Sequence, residues 1–236
     1  MNPTAAILLI GDEILSGRTQ DTNGNHLAKR LTDMGIDLRE IRVVPDEQGR
    51  IVAAVNALKG RYTHVFTSGG IGPTHDDITA DAIAAAFGVG IDVREDARAI
   101  LASNYTDPED LNGMRLRMAR IPDGASLIDN PVSRAPGFSL GNVHVMAGVP
   151  AVFTAMVESL LPGLTGGAPM RSVSVRIEQP EGQVAEPLAA LAKAFPDVSI
   201  GSYPFVQNGV FGTNLVARST DETLLKQVEA HLLTIC

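Results

Sequence analysis

The sequence predicts an α/β protein: a mostly parallel sheet with helices on both faces, followed by a small antiparallel α+β domain. Three observations predict it. Apolar runs of strand length alternate with stretches of helical periodicity in the order βαβαβα, as crossover connections in a parallel sheet require. A Gly- and Pro-rich stretch without periodicity, Pro162 to Pro169, then reads as a linker. Beyond it the order becomes βαββα, with Asn208-Gly209 where a tight hairpin would turn. The expected domains are residues 1–163 and 170–236.

Each element has its own signal. Ala5 to Ile10 is a continuous apolar run ending at Gly11, the pattern of a strand buried on both faces. Leu27, Leu31 and Met34 sit at helical spacing and stop at Gly35. Leu38 to Val44 alternates as a second strand, and Ile51, Val52, Val55 and Leu58 form a helical stripe ending near Gly60. Thr63 to Thr67 is a third strand running into Ser68-Gly69-Gly70, and Thr79 to Phe87 is a helix closed by Gly88. Asp96 to Ala119 reads as mostly helical, interrupted around Pro108. Asn142 to Met146 is a strand and Pro150 to Leu161 a helix. In the second domain, Val173–Ile177, Val198–Tyr203 and Val210–Ala217 read as strands. Val184–Phe195 and Asp221–Leu233 read as helices, the last capped by Thr220 or Asp221.

Composition narrows the function classes. Hydrophobic residues are 44% and charged residues 19%, which suits a globular core. Aromatics are only 4%, so Leu, Ile, Val and Ala must fill that core. A formal net charge of -8 disfavours non-specific nucleic-acid binding, which displaces counterions with basic side chains. A phosphate ligand is still allowed, because backbone amides at a helix start hold one without lysine. The lone cysteine, Cys236, permits neither an internal disulfide nor a Cys-based metal site. Met1-Asn2-Pro3-Thr4 carries no basic leader, and the apolar run after it is too short for a signal or a span. A cytoplasmic protein without a membrane partner is expected.

The strongest chemical signal is Thr67-Ser68-Gly69-Gly70-Ile71-Gly72-Pro73-Thr74-His75-Asp76-Asp77-Ile78-Thr79, which leaves a buried strand and enters a helix. Adjacent glycines admit positive φ and let a ligand approach bare backbone. Free amides at the helix start donate to anions. Two carboxylates beside such an anion site repel a phosphate unless a bridging divalent cation joins them. The competing reading makes Asp76 or Asp77 a plain helix cap, and the segment by itself fits both. Gly11-Asp12-Glu13-Ile14-Leu15-Ser16-Gly17 follows the first strand. Ligands of open α/β sheets bind beyond the carboxyl ends of strands, so this loop and the Gly-rich one are expected to share a crevice. Asp21-Thr22-Asn23 opens a helix, where capping alone is a sufficient reading. Met146-Ala147-Gly148-Val149-Pro150 is a further strand-to-helix turn. His75 lies in the Gly-rich loop, against phosphate or in solvent; His26, His64, His144 and His231 show no ligand-like spacing. A Gly-x-Ser-x-Gly elbow, a Walker loop and a first-strand Gly-x-Gly-x-x-Gly are all missing, which removes serine hydrolases, P-loop enzymes and ordinary dehydrogenases.

These segments, with Ala135-Pro136-Gly137-Phe138 and Gly148-Val149-Pro150, occur in the order seen in the N-terminal domain of CinA proteins, part of the molybdopterin-binding family that includes MogA, MoaB and MoeA. The resemblance covers about residues 4 to 162. From residue 171 the chain is similar to the small middle domain of CinA proteins, and the C-terminal amidase domain of long CinA proteins has no counterpart. The resemblance implies a three-layer α/β/α fold, a phosphate-bearing heterocyclic ligand and a homo-oligomer. It also implies divalent-metal hydrolysis of a nucleotide pyrophosphate such as ADP-ribose or FAD. Met146-Ala147 stands where the family has Leu-Pro, Val152 where it has Glu, and Ser133-Arg134 where it has Gly-Thr.

The segments and the resemblance together nominate Asp76 and Asp77 as catalytic and, with Glu13, as holders of Mg²⁺, Mn²⁺ or Co²⁺. Ligand contacts are expected from Gly11, Asp12, Glu13, Ser16, Asp21, Asn23, Ser68, Gly69, Gly70, Gly72, Pro73, Thr74, Thr79, Gly148 and Pro150. Arg134 is expected to add a phosphate contact, because guanidinium pairs well with phosphate. Two other readings stand beside hydrolysis: a module that binds or transfers molybdopterin, and a non-catalytic assembly module.

Overall fold

The computed structural model describes residues 2–235, the side chain of Pro108 excepted. Met1 and Cys236, on which the leader and disulfide readings partly rest, lie outside them. The chain divides into two compact units, Met1–Gly167 and Ala168–Cys236. The Gly/Pro-rich stretch belongs to the first unit as far as Gly167, whose N–H donates to the Met34 carbonyl at 2.9 Å.

The first unit is built on β1 (Thr4–Ile10), and its apolar run has a simple cause. Side chains alternate across a strand. Ala6, Leu8 and Ile10 enter one core layer, and Ala5, Ile7 and Leu9 the other. Both layers are needed because helices cover both faces. α2 (Asn23–Asp33) and α7 (Pro150–Leu160) pack on the second; α3 (Gln48–Lys59), α4 (Thr79–Phe87) and α5 (Glu95–Ala102) pack on the first. Ile7 and Leu8 are each fully buried, which stabilises the fold by roughly 1.5–3 kcal/mol per side chain.

Parallel pairing joins β1 to β2 (Asp37–Val44) and to β3 (His64–Ser68), and β3 to β8 (Val143–Met146). Beyond β8 the sheet turns antiparallel through β7 (Gly137–Leu140) and β6 (Ser126–Ile128). The strand order is β2-β1-β3-β8-β7-β6, a mixed, mostly parallel sheet between helical layers.

The region from Asp96 to Ala119 is less helical than its composition suggests. Only α5 and the short α6 (Gly113–Leu116) are α-helical, the latter capped by Asn112 through Met114 N and Arg115 N at 3.1 Å each. Beside them β4 (Ile91–Val93) pairs with β5 (Arg120–Pro122). β7 opens at Gly137, where any Cβ would collide with the Val145 carbonyl of the neighbouring strand.

The second unit is a three-stranded antiparallel sheet, order β10-β11-β9, with its own core. Its strands are β9 (Arg171–Ile177), β10 (Ser199–Gln207) and β11 (Val210–Ser219). α8 (Glu181–Ala194) and α9 (Glu222–Leu232) complete it. Asn208 and Gly209 both take positive φ, 53° and 79°, as the hairpin reading requires. Asp221, rather than Thr220, caps α9 by accepting from Thr223 N at 2.8 Å and Leu224 N at 3.0 Å. Among the described residues no helix is long and apolar enough to cross a membrane.

Candidate functional site

A cleft of about 540 Å³ opens beyond the carboxyl ends of β1, β2, β3 and β8. Because β1 and β3 are neighbours, the loops that follow them face each other across it. Gly11, Glu13, Gly69, Gly70, Gly72, Pro73, Asp76, Asp77, Gly148 and Pro150, all nominated from the sequence, line it. Ile71, Met118, Ala135, Val149 and Val152 give it an apolar wall, wide enough for a planar heterocycle. Val152 is 9% exposed and packs into the core at that wall.

The two glycines of the loop do more than bare the backbone. Gly69 and Gly70 take φ of 110° and 69°, which side-chain-bearing residues rarely adopt. The space a Cβ would need at Gly69 is filled by the Ile10 carbonyl, and at Gly70 by the Thr79 hydroxyl. The protein's own atoms therefore demand glycine here, in addition to the positive φ read from the sequence. Thr79 is fully buried and donates to the Gly69 carbonyl at 2.9 Å, so it braces the loop and does not face the cleft.

Several other nominated residues hold the site together from outside it. The buried Asn23 amide donates to Ser68 Oγ at 2.9 Å and to the Gly148 carbonyl at 2.7 Å. Asp21 caps the same helix, accepting from Asn23 N at 3.0 Å and Gly24 N at 3.1 Å. Ser16 bonds back to the Glu13 carbonyl at 3.3 Å. Thr74 is exposed and serves Asp77: its N–H and hydroxyl reach Asp77 Oδ2 at 2.8 and 2.5 Å. Asp77 is thus a loop organiser that also lines the cleft; α4 begins without a side-chain cap, which corrects the reading of Asp76 or Asp77 as a helix cap. Arg134 is exposed on a loop in the left-handed region, φ 58°, and is not among the residues lining the cleft; its neighbours Asn130, Ser133 and Ala135 are.

Asp46 is a cleft residue that sequence reasoning missed. It follows β2, and its Oδ2 accepts from Asp12 N at 3.0 Å. Burial, then the charges of Asp12, Glu13 and Asp76, push its carboxyl above the usual range despite that bond. The signal was available, because the carboxyl-end rule applies to β2 as much as to β1 and β3. Asp76 behaves oppositely: the Thr74 hydroxyl beside it, and then its surroundings including His75, hold it below the usual range. His75 itself is 94% exposed at the side chain and 3.9 Å from Asp76.

Also missed were two arginines behind the loop. Arg117 Nη2 donates to the Asp77 carbonyl at 3.1 Å, and Arg120 grips Asp81 with two bonds of 2.7 Å. Arg117 comes from the stretch read as mostly helical, and Arg120 opens β5 just beyond it.

The carboxylates form a donor set of oxygens only. Among the described residues no three His, Cys, Asp or Glu side chains are grouped closely enough to hold a metal ion by themselves. Such a set suits a hard cation that takes one or two carboxylates and completes its shell from substrate phosphates.

At the opposite end of the sheet His144 is buried, with Nδ1 2.8 Å from Ser139 Oγ and Nε2 3.2 Å from His64 Nδ1. Burial first, and the neighbouring His64, lower its pKa to about 4. This pairing across 80 residues is the partner that local spacing did not reveal for either histidine.

Residues 6–166 match a family described as "Probable molybdopterin binding domain", and residues 169–235 match "FAD synthase, middle domain". A protein of Archaeoglobus fulgidus is 33% identical over 84% of each chain. The "Probable FAD synthase" of Caenorhabditis elegans is 32% identical over 97% of this chain; the match spans about half, 49%, of the worm protein. The crystal structure of CinA from Thermoplasma acidophilum, a protein of unknown function, matches with a TM-score of 0.64 and 34% identity, covering 68% of this chain and 97% of that one. With its cleft at the carboxyl ends of a mixed sheet and its Gly-rich loop between β3 and α4, the chain belongs to the molybdopterin-binding domain family in its CinA-like form, joined to an FAD synthase middle domain.

Proposed function

We propose that the first unit hydrolyses a nucleotide pyrophosphate of the ADP-ribose or FAD type with the help of Mg²⁺, Mn²⁺ or Co²⁺. The observation that carries this is the meeting of four carboxylates, Glu13, Asp46, Asp76 and Asp77, with a glycine-rich loop in one cleft. Unbalanced acids would repel a phosphate there, and a divalent cation between them reverses the sign.

One or two of Asp76, Asp77 and Glu13 would hold the cation, with substrate phosphate oxygens completing its shell. When bound, it supplies Lewis-acid polarisation of a phosphoryl oxygen and acidifies water. The chain's own contributions are positional. The Gly69 N–H is bonded to the Met146 carbonyl at 3.1 Å, so the loop amides beyond it, from Gly70 to Gly72, would meet the phosphate, and the apolar wall from Ile71 to Val152 would pack the heterocycle. Asp46, partly desolvated and raised in pKa, accepts a proton in the cleft. A solvent-sharing, homo-oligomeric cytoplasmic enzyme with a small-molecule substrate is the corresponding picture.

The test is turnover of ADP-ribose and FAD with and without EDTA, on wild type and Asp77→Asn, alongside thermal melts. The expected result is loss of turnover in EDTA and a fall on the order of 100-fold in Asp77→Asn, with a shift in melting too small to explain it. Metal-independent turnover, or an Asn variant of normal rate, would sink the mechanism.

A second reading has its own support in the family description, which names molybdopterin. In it the same loop holds the pterin phosphate without hydrolysis. Tight pterin binding with no turnover of any nucleotide pyrophosphate would favour it, and Val152, apolar at the wall, would be the first residue to restore to Glu.

A further inference from the structure

The sheet of the second unit has one face covered by its helices and one face bare. Val175, Ile177, Leu215 and Ala217 point into the core with α8 and α9. Strand alternation therefore sends Arg176, Asn214, Val216, Arg218, Gly201 and Tyr203 to the other side.

That face is unlike the rest of the molecule in charge. It carries Arg176 and Arg218, Arg171 lying on the helix side beside Glu222, and the three strands hold not one Asp or Glu, in a chain of net charge -8. Tyr203, Asn214 and Arg176 lie in one row across the sheet. Tyr203 is 48% exposed, its ring runs alongside the bare backbone of Gly201, and its hydroxyl accepts from Arg218 Nη2 at 3.1 Å. Phe205 is already sandwiched: Gly212 leaves room for its ring beneath, and the Arg176 guanidinium covers it at 3.8 Å. Tyr203 is thus the exposed ring of this face, between Arg218, 6.0 Å from its centre, and Arg176, which also donates to Gln207 Oε1 at 2.5 Å, on strands without acids.

We propose that this face binds one mononucleotide, its base stacked on Tyr203 and its phosphate held by Arg176 and Arg218. The chemistry fits on both counts: an aromatic face takes any base, and guanidinium groups take phosphate in paired bonds. A single free ring gives room for one base, and the acidic chain as a whole opposes a polyanion. The proposal does not depend on the reading of the cleft, which lies in the other unit.

The full-length protein is photolabelled with azido-adenosine monophosphate, and the adducts are mapped by peptide mass spectrometry. Label is expected within β10 and β11, displaced by excess adenosine monophosphate and not by ribose 5-phosphate, which lacks a base. Tyr203→Ala should lower that labelling about tenfold, the loss of one stacked base. Tyr203→Phe should keep it, and Arg176→Gln with Arg218→Gln should lose it while circular dichroism stays unchanged. Absence of label from β10 and β11, or wild-type labelling in Tyr203→Ala, overturns the proposal. A short oligothymidylate that displaces the probe at lower concentration than the mononucleotide overturns it in favour of a single-stranded nucleic acid.

Discussion

The two ends of the six-stranded sheet treat buried ionisable groups in opposite ways. At the carboxyl ends, Asp46 is partly desolvated and faces the like charges of Asp12, Glu13 and Asp76. At the other end, His144 is more deeply buried but is neutral and bonded on both ring nitrogens, to Ser139 and His64. The histidines meet their partners inside the fold, so their arrangement is complete. The carboxylates meet donors too, Asp46 at Asp12 N and Asp77 at Thr74, but those bonds leave like charges facing one another across the cleft. Polar burial by itself is thus a poor guide to a site; burial with unresolved charge beside a cavity is a better one.

The sharpest way to break this comparison is to neutralise one acid. Asp46→Asn should lower turnover or ligand affinity by about 10²–10³-fold, roughly 2.7–4 kcal/mol, as loss of one preorganised polar group in a cleft does. Stability should stay level or rise, because the variant removes a charge the fold disfavours and Asn still accepts from Asp12 N. Paired melts and activity assays decide; a variant that unfolds earlier makes Asp46 a structural residue.

At the histidine end the prediction concerns pH. Unfolded, His144 titrates near 6.5; folded, near 4. Between those values the unfolded chain takes up a proton that the folded chain refuses, so stability falls as pH drops through that window. The full loss is at most about 3 kcal/mol. Urea melts from pH 7 to 4 should show the slope, and His144→Gln should flatten it by its own share. An unchanged slope would place the acid sensitivity elsewhere.

Smaller effects sharpen the contrast between loop and scaffold. Gly70→Val forces a side chain onto Thr79 in a left-handed conformation and should cost about 1–3 kcal/mol, with ligand binding lost alongside. Binding by calorimetry at normal affinity would show that the loop is not the anion cradle. Asp221→Ala, in the second unit, removes only a cap and should cost about 1 kcal/mol in chemical melts, with turnover unchanged.

Much of this was legible in the residues. The run Ala5 to Ile10 announced a doubly buried strand, and Asn208-Gly209 a hairpin, because each signal is local and strong. The short strands β4 to β7 were not, since three or four residues carry no readable period. The loops of the cleft were found through their glycines and acids. Asp46 was passed over because one Asp after Pro45 looks like any turn, and only the sheet order β2-β1-β3 brings it beside Glu13 and Asp76. Ser68 and Gly148, nominated with Asn23 for a ligand, both proved to accept from the Asn23 amide, a link that only distances reveal.

That last triangle has a consequence for how the protein comes into being. One amide ties loops 45 and 125 residues away from it. Contacts of such separation form only after long stretches of chain have been gathered in. A chain emerging from the ribosome with its N-terminus first has its glycine-rich loop early but lacks the Gly148 wall until well over half of it has been made. The cleft therefore gains its Gly148 wall only when most of the first unit has been made.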